Sequence, residues 1–260
     1  MLISVGVPTR GLAQVNVSGK AGLMYIPSAE LLEDGTFSMG YTLNPSNYAF
    51  RFNKKNSESI YFVNLVLLPR LEVNVNLLMP NGPINFSGKG IGDRQIDLKY
   101  VVMTEKKKRP SMAIILSEPF GVSSSLVTYA LAATKHVAVT KSINAGITVG
   151  MASPYSIYRD ESDSHNDDIF SKFSWIDKRD QPYKYLSGPF GGVKLTFAQK
   201  AGFMVEWDSQ HLNVGAYALL FKHWTVQAGW LNGDQLTLGT SYALRLLRLP
   251  KRLITKHEGS

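Results

Sequence analysis

The sequence contains no cysteine. Disulfides, thiolate nucleophiles and cysteine-ligated metal centres are therefore excluded, while neither side of a membrane is. No stretch approaches the ~20 consecutive apolar residues of a membrane helix. A helical membrane protein is thus excluded but a β-barrel is not, because barrel strands alternate and carry a weaker signal. Histidine is scarce: His136, His165, His211, His223 and His257 are the five, and no pair has zincin or zinc-finger spacing. His211 follows Asp208 with no third member to complete a catalytic set. Serines such as Ser124 and Ser125 have no nucleophile-elbow context. The glycine-rich stretches Gly88–Gly92 and Gly188–Gly192 lack the lysine-serine ending of a phosphate loop. Asp160, Glu161, Asp163, Asp167 and Asp168 lack EF-hand spacing and its closing glutamate, so they read as a solvated acidic loop. No catalytic residue, metal or cofactor is expected, and the chain is not expected to be an enzyme.

The 28 Lys and Arg outnumber the 20 Asp and Glu, for a net charge of +8. The basic residues are scattered or sit at turns, and no helix-turn-helix, zinc-finger or RNP-like segment accompanies them. Nucleic acid is not an expected partner.

What is present is alternation. From Gly188 to Leu246, Val193, Leu195 and Phe197 share one face, with Lys194 and Thr196 on the other. Phe203, Val205 and Trp207 alternate with Met204, Glu206 and Asp208. Val226, Ala228 and Trp230 alternate with Thr225 and Gln227, and Leu236, Leu238 and Tyr242 with Thr237 and Ser241. Period two argues for strands, and short joints such as Asn232-Gly233-Asp234 make an antiparallel meander. Upstream, strands are expected at Thr36–Leu43, Glu58–Leu68, Leu71–Met79, Asp93–Met103, Ser111–Ser117, Ser125–Ala133 and Ser142–Met151. Val15–Pro27 is either a first strand or a segment lying inside a barrel. Ser153–Ser187 is the one long irregular stretch, with a short helix expected near Asp167–Trp175.

Period two alone does not separate a soluble sandwich from a membrane barrel. The joints do. About twelve strands are expected, and long joints at 44–57, 80–92 and 152–187 interleave with short ones at Pro69-Arg70, Lys106–Pro110, His136–Lys141, Gln199–Ala201 and Phe221–His223. Long loops on one rim and short turns on the other are how outer-membrane barrels are built. The predicted fold is all-β: a closed antiparallel up-and-down transmembrane barrel, its apolar face toward lipid. An open sheet in lipid would leave an edge unpaired. The inward face would carry Glu72, Asp97, Lys99, Lys194, Glu206, Asp208 and Gln227, with Lys99 and Lys194 pairing with carboxylates from Glu72, Asp97, Glu206 and Asp208. Tyr25, Tyr41, Tyr61, Tyr100, Trp207, Trp224, Trp230 and Tyr242 would form two interfacial girdles. Residues 1–14 read as a leader or the remnant of a signal peptide cleaved after Ala13, 15–247 as the barrel, and 248–260 as a basic periplasmic tail.

Gly19–Ala29 (GKAGLMYIPSA) followed by Asp34-Gly35-Thr36-Phe37 resembles the opening of the YjbH-like outer-membrane β-barrel family. Gly92–Tyr100 (GDRQIDLKY) resembles a strand following that family's first hairpins; Gly191–Lys194 and Val205–Asp208 resemble later ones. The resemblance spans Val15 to Leu247. This chain is shorter than many members and ends in a basic tail rather than a terminal aromatic strand residue. The family is linked to exopolysaccharide operons of Gram-negative bacteria and has no established catalytic residues. The resemblance implies a cell-outer-membrane location and a role in polysaccharide export or secretion. Two roles follow as expectations: a non-enzymatic scaffold or accessory of an export machine, or a conduit through the lumen. Expected partners are outer-membrane lipid, other envelope proteins and polysaccharide. Tyr155, Tyr158, Phe170, Phe173 and Trp175 would anchor a partner at the outer rim, and Lys106, Lys107, Lys108 and Arg109 would meet an anionic one at the periplasmic rim.

Overall fold

In a computed structural model, residues 14–50, 56–82, 93–118, 126–159, 173–181 and 184–246 are described. Twelve strands close into one antiparallel barrel, and a separate two-stranded hairpin rises from one rim. In chain order the strands are β1 (Thr36–Asn44), β2 (Glu58–Leu68), β3 (Leu71–Pro80), β4 (Asp93–Met103), β5 (Ser111–Ser117), β6 (Tyr129–Ala138), β7 (Ile143–Ala152), β8 (Tyr155–Arg159), β9 (Phe173–Asp177), β10 (Gly188–Phe197), β11 (Ala201–Trp207), β12 (Leu212–Leu220), β13 (Trp224–Leu231) and β14 (Gln235–Arg245). Each barrel strand pairs with its sequence neighbours in the wall; β7 pairs with β10, because β8 and β9 leave the wall as the hairpin. The seam is β1 against β14, from Thr36 opposite Arg245 to Leu43 opposite Leu238. No edge strand of the barrel remains, the condition for placing a sheet in lipid.

The joint parity holds. Turns between β2 and β3, β4 and β5, β6 and β7, β10 and β11, and β12 and β13 share one rim with Thr36 and Arg245. The opposite rim carries the longer 45–57, 81–92, 118–128 and 153–187 segments. Several short turns rest on left-handed backbone at non-glycine residues: Arg70, Ala198, Gln199, Phe221 and Lys222 all have positive φ. The expected strands shift by one residue at the ends of β1, β3 and β7, and most in β6, which begins at Tyr129 rather than Ser125 and continues through His136 to Ala138. The helix expected near Asp167–Trp175 is instead strand where it is described, since Phe173–Asp177 pairs with Tyr155–Arg159. The helical expectation there yields to cross-strand pairing, which a single-segment reading does not see.

The wall is inverted relative to a soluble barrel. Along β4, Asp93, Gln95, Asp97, Lys99 and Val101 are buried, while Arg94, Ile96, Leu98, Tyr100 and Val102 are exposed. Outward-facing apolar side chains continue around the cylinder, among them Val63, Val75, Leu131, Val149, Val205 and Leu238. Two aromatic belts flank them. Tyr100, Trp224 and Tyr242 lie toward the short-turn rim, and Tyr61, Trp207 and Trp230 toward the other, all exposed. Tyr41, half-buried, pairs with Tyr61 at 5.2 Å between ring centroids. Tyr25, expected in a girdle, is buried inside the barrel at 4% exposure.

Candidate functional site

The lumen is occupied by the chain itself. Residues 14–29 are buried throughout, and 14–35 thread the barrel before entering β1. This settles the two readings of Val15–Pro27: it is an internal plug, not a wall strand. Its bridges are local, Val15 with Ala21 and Gly22 with Pro27, so it folds on itself as compact turns. Asn16 organises the first turn. Its Oδ1 accepts from the backbone N–H of Ser18 (3.2 Å) and Lys20 (3.0 Å), and its Nδ2 donates to the Tyr25 carbonyl (3.0 Å). Gly19 takes φ +84°, and an added Cβ would run into the Phe62 ring. Gln14, at the margin of the expected leader, donates to Gln227 from within the lumen.

The wall grips this plug with charge. Lys20 pairs with Asp97, both buried. Lys99 pairs with Glu72 at 2.9 Å, and Glu72 also accepts from the Ala21 backbone at 3.0 Å. Glu206 has a different partner from the one expected. Its carboxylate accepts from the backbone N–H groups of Met24 (3.0 Å), Tyr25 (2.7 Å) and Ile26 (3.4 Å). Asp208 receives Asn213 at 2.9 Å and the backbone of Gln210 and His211, closing the β11–β12 turn. Lys99 thus meets a carboxylate of the expected set, but Lys194 does not: it pairs at 2.5 Å with Glu30, a plug residue. The inward register was readable; the plug's own charges were not assigned to it.

Near the short-turn rim the plug's exit is tied to the wall. Glu30 accepts from Lys194 and faces His136 Nε2 at 2.7 Å, while His136 Nδ1 meets Glu105 at 2.6 Å. Glu105, on the β4–β5 turn, is pushed up by partial burial, but hydrogen bonds from Lys135 and His136 outweigh this and hold it below the usual carboxylate range. Arg245 pairs with Glu33 where the plug passes into β1.

At the other mouth, loop side chains fold inward. Tyr48 and Phe50 from the β1–β2 joint and Tyr185 and Leu186 from the segment before β10 join Leu23, Met24, Tyr25 and Ile26 in one apolar cluster. Phe50 meets Tyr185 edge-on at 5.5 Å, and Tyr48 meets His211 at 5.0 Å. Each fully buried Leu or Ile contributes about 1.5–3 kcal/mol. Lys178 pins the lid: its buried ammonium donates to the carbonyls of Val127 (2.8 Å), Tyr185 and Leu186 (2.9 Å). Burial pushes it down to about 7. Two interior spaces, one between Met24 and the β13–β14 wall and one beneath Tyr48 and Tyr185, hold about 10 and 20 Å³. Each is on the scale of about one water.

The hairpin of β8 and β9 stands outside this lid. Tyr155 and Trp175 are exposed, Trp175 at 70%, and Phe173 is half-buried. Cross-strand register puts Tyr155, Ile157, Trp175 and Asp177 on one face. The Arg179 guanidinium lies 5.8 Å from the Tyr155 ring centroid. Tyr158 belongs to β8 by its backbone. Phe170, Asp160–Asp168, Ser124, Ser125, His165, His257 and the 248–260 tail lie outside the described residues. Lys106, Lys107, Lys108 and Arg109 are exposed on the short-turn rim. Among the described residues no group of three or more His, Asp or Glu is arranged to hold a metal ion.

A closed antiparallel cylinder, apolar outside, belted by aromatics at both ends and polar within, is an outer-membrane β-barrel. Over residues 14–258 the chain matches the family described as exopolysaccharide biosynthesis protein YbjH, and it belongs to that family. No relative was found among curated proteins. Among solved structures it is distantly similar to the KdgM porin (10% identity, 81% of this chain and 99% of that one, TM-score 0.45). It is likewise similar to the NanC porin (13% identity, 82% and 99%, TM-score 0.41). An outer-membrane channel from Pseudomonas putida F1 is similar at 13% identity, with 83% and 97% covered and a TM-score of 0.35.

Proposed function

We propose that the protein is a non-enzymatic, non-conducting outer-membrane scaffold or accessory of an exopolysaccharide-export machine. The observation that carries this reading is the filled lumen. The plug is fixed to opposite sides of the wall through Asp97, Glu72, Glu206 and Lys194, and the outer mouth is lidded by Tyr48, Phe50, Tyr185 and Leu186. With the bore blocked, the surfaces left for work are the rims. The aromatic face of the β8–β9 hairpin, not needed by the lid, contacts another envelope subunit or the exported polymer, because aromatics give large contact area for few rotors.

The test is single-channel recording of the intact, purified protein in a planar bilayer, together with co-purification from native membranes. The expected result is a silent bilayer, with partners recovered by the wild type and lost by Tyr155→Ala/Trp175→Ala. Discrete conductance steps from the intact protein would overturn the scaffold role. A second reading, a conduit gated by plug withdrawal, is favoured by one feature: the wall beneath the plug is polar, so withdrawal would bare a bore lined by Glu72, Asp97, Lys99, Lys194, Glu206 and Asp208. Conductance appearing only when 14–35 is removed would favour it.

A further inference from the structure

Every described turn of the short-turn rim bears a cation. Arg70 lies between β2 and β3, Lys106–Arg109 between β4 and β5, Lys141 between β6 and β7, Lys200 between β10 and β11, and Lys222 between β12 and β13. All except Arg70 are exposed. Lys135 has Glu105 and Arg245 has Glu33, but none of these turn cations is in an ion pair among the described residues. Beside them sit exposed apolar side chains: Phe221 is 83% exposed next to Lys222, and Val139 is 57% exposed two residues before Lys141. The aromatic belt of Tyr100, Trp224 and Tyr242 lies just behind.

We infer that this rim is an annular binding surface for anionic phospholipid headgroups of the periplasmic leaflet, one or more at each turn. The spacing selects the occupant. Strands ~4.8 Å apart, tilted by about 40°, place successive turns roughly 12 Å apart around the cylinder. That exceeds the ~8–10 Å screening length at physiological salt, so neighbouring turns act as separate cationic points. A folded acidic partner would engage one arc of the ring, whereas a leaflet supplies an anion to every turn at once. The exposed Phe221 and Val139 fit the same occupant, since an apolar tip next to a cation seats in the layer between headgroup and chain. The charge thereby sets the depth and upright orientation of the barrel, independently of whether its lumen conducts.

The experiment uses the full chain refolded into phosphatidylcholine vesicles, with Trp175, Trp207 and Trp230 replaced by Phe so that Trp224 alone reports on this rim. Quenching by brominated phosphatidylglycerol is compared with quenching by brominated phosphatidylcholine. The expected result is about fivefold or greater preference for the anionic lipid at low salt. The preference should collapse toward unity at about 1 M salt, where the screening length is ~3 Å. It should also vanish when Lys106, Lys107, Lys108, Arg109, Lys141, Lys200 and Lys222 are changed to Gln. Equal quenching by the two lipids at low salt, or a preference that survives both salt and the Gln changes, overturns the inference. So does displacement of the anionic lipid from Trp224 by stoichiometric polygalacturonate, which would make an acidic polymer the occupant. The headgroup and salt comparisons need no change in rim charge, so they decide the matter even where the Gln variant fails to fold.

Discussion

Glu206→Leu isolates what holds the plug. The wild-type carboxylate is 1% exposed and meets no cation among the described residues; it accepts from consecutive backbone amides, Met24 at 3.0 Å and Tyr25 at 2.7 Å, with Ile26 and the Asn213 side chain longer at 3.4 Å each. Leucine is similar in size but accepts nothing. Two well-made bonds vanish and two amides are stranded in a site without bulk water, at about 1–3 kcal/mol each. Relief from burying a charge offsets part of that, leaving a net loss of roughly 2–4 kcal/mol in plug seating. The loss falls on the plug and not on the wall, because β11 keeps its backbone ladder to β10 and β12. Hydrogen exchange followed by mass spectrometry on the refolded protein separates the two. Exchange in the 20–29 peptide should accelerate by about 30- to 1000-fold, at ~1.4 kcal/mol per decade, while wall peptides stay protected. Glu206→Gln, which keeps one oxygen acceptor, should lie between. Unchanged exchange in the plug peptide for Glu206→Leu would refute the claim that this carboxylate anchors it. Equal acceleration in the wall would show that plug and wall unfold as one unit.

Three further outcomes follow from the same geometry. Lys20→Met strands the buried Asp97 and should destabilise the plug by about 3–5 kcal/mol, read as a lowered urea midpoint for plug exchange; Lys20→Met/Asp97→Leu should recover much of it, and no recovery would count against the pair. Gly22→Ala drives a Cβ into the Ile26 carbonyl oxygen and should cost about 1–3 kcal/mol, seen as faster proteolysis of residues 14–35 in the folded barrel. Lys178 titrates at about 7 in place and near its ordinary value once the lid is released, so the released lid binds more protons between those values and lid docking strengthens as pH rises through them. Protease cleavage before β10, normalised to an unfolded substrate at each pH, should fall by about tenfold or more between pH ~6 and ~9; cleavage that is flat with pH, or rises, would reject it.

Legibility divided by the range of the interaction. The faces of β4 were readable from Asp93–Met103 alone, because alternation is a property of neighbouring residues. The rims were readable because joint length follows chain order, and the cations of Lys106–Arg109 because turns declare themselves. The plug was only half readable: VNV and LMYIP alternate as a strand does, and only Asn16, Gly19 and Gly22 hint that the segment turns on itself. Tyr25 was misplaced in a girdle for the same reason, since an aromatic in an alternating run suits a membrane interface and a lumen equally.

The sequence by itself determined a closed antiparallel barrel with its apolar face outward, its long and short rims, and an inward set containing Glu72, Asp97, Lys99, Lys194, Glu206 and Asp208. It did so because period two and turn chemistry are written residue by residue. Only the tertiary structure decided what those inward groups hold. Lys194 finds Glu30, Asp97 finds Lys20, and Glu206 finds the amides of Met24–Ile26, each across more than 70 residues of chain. Those meetings depend on barrel shear and on how deep the plug sits, quantities that no local pattern contains, because one shift of register would give every inward charge a different partner.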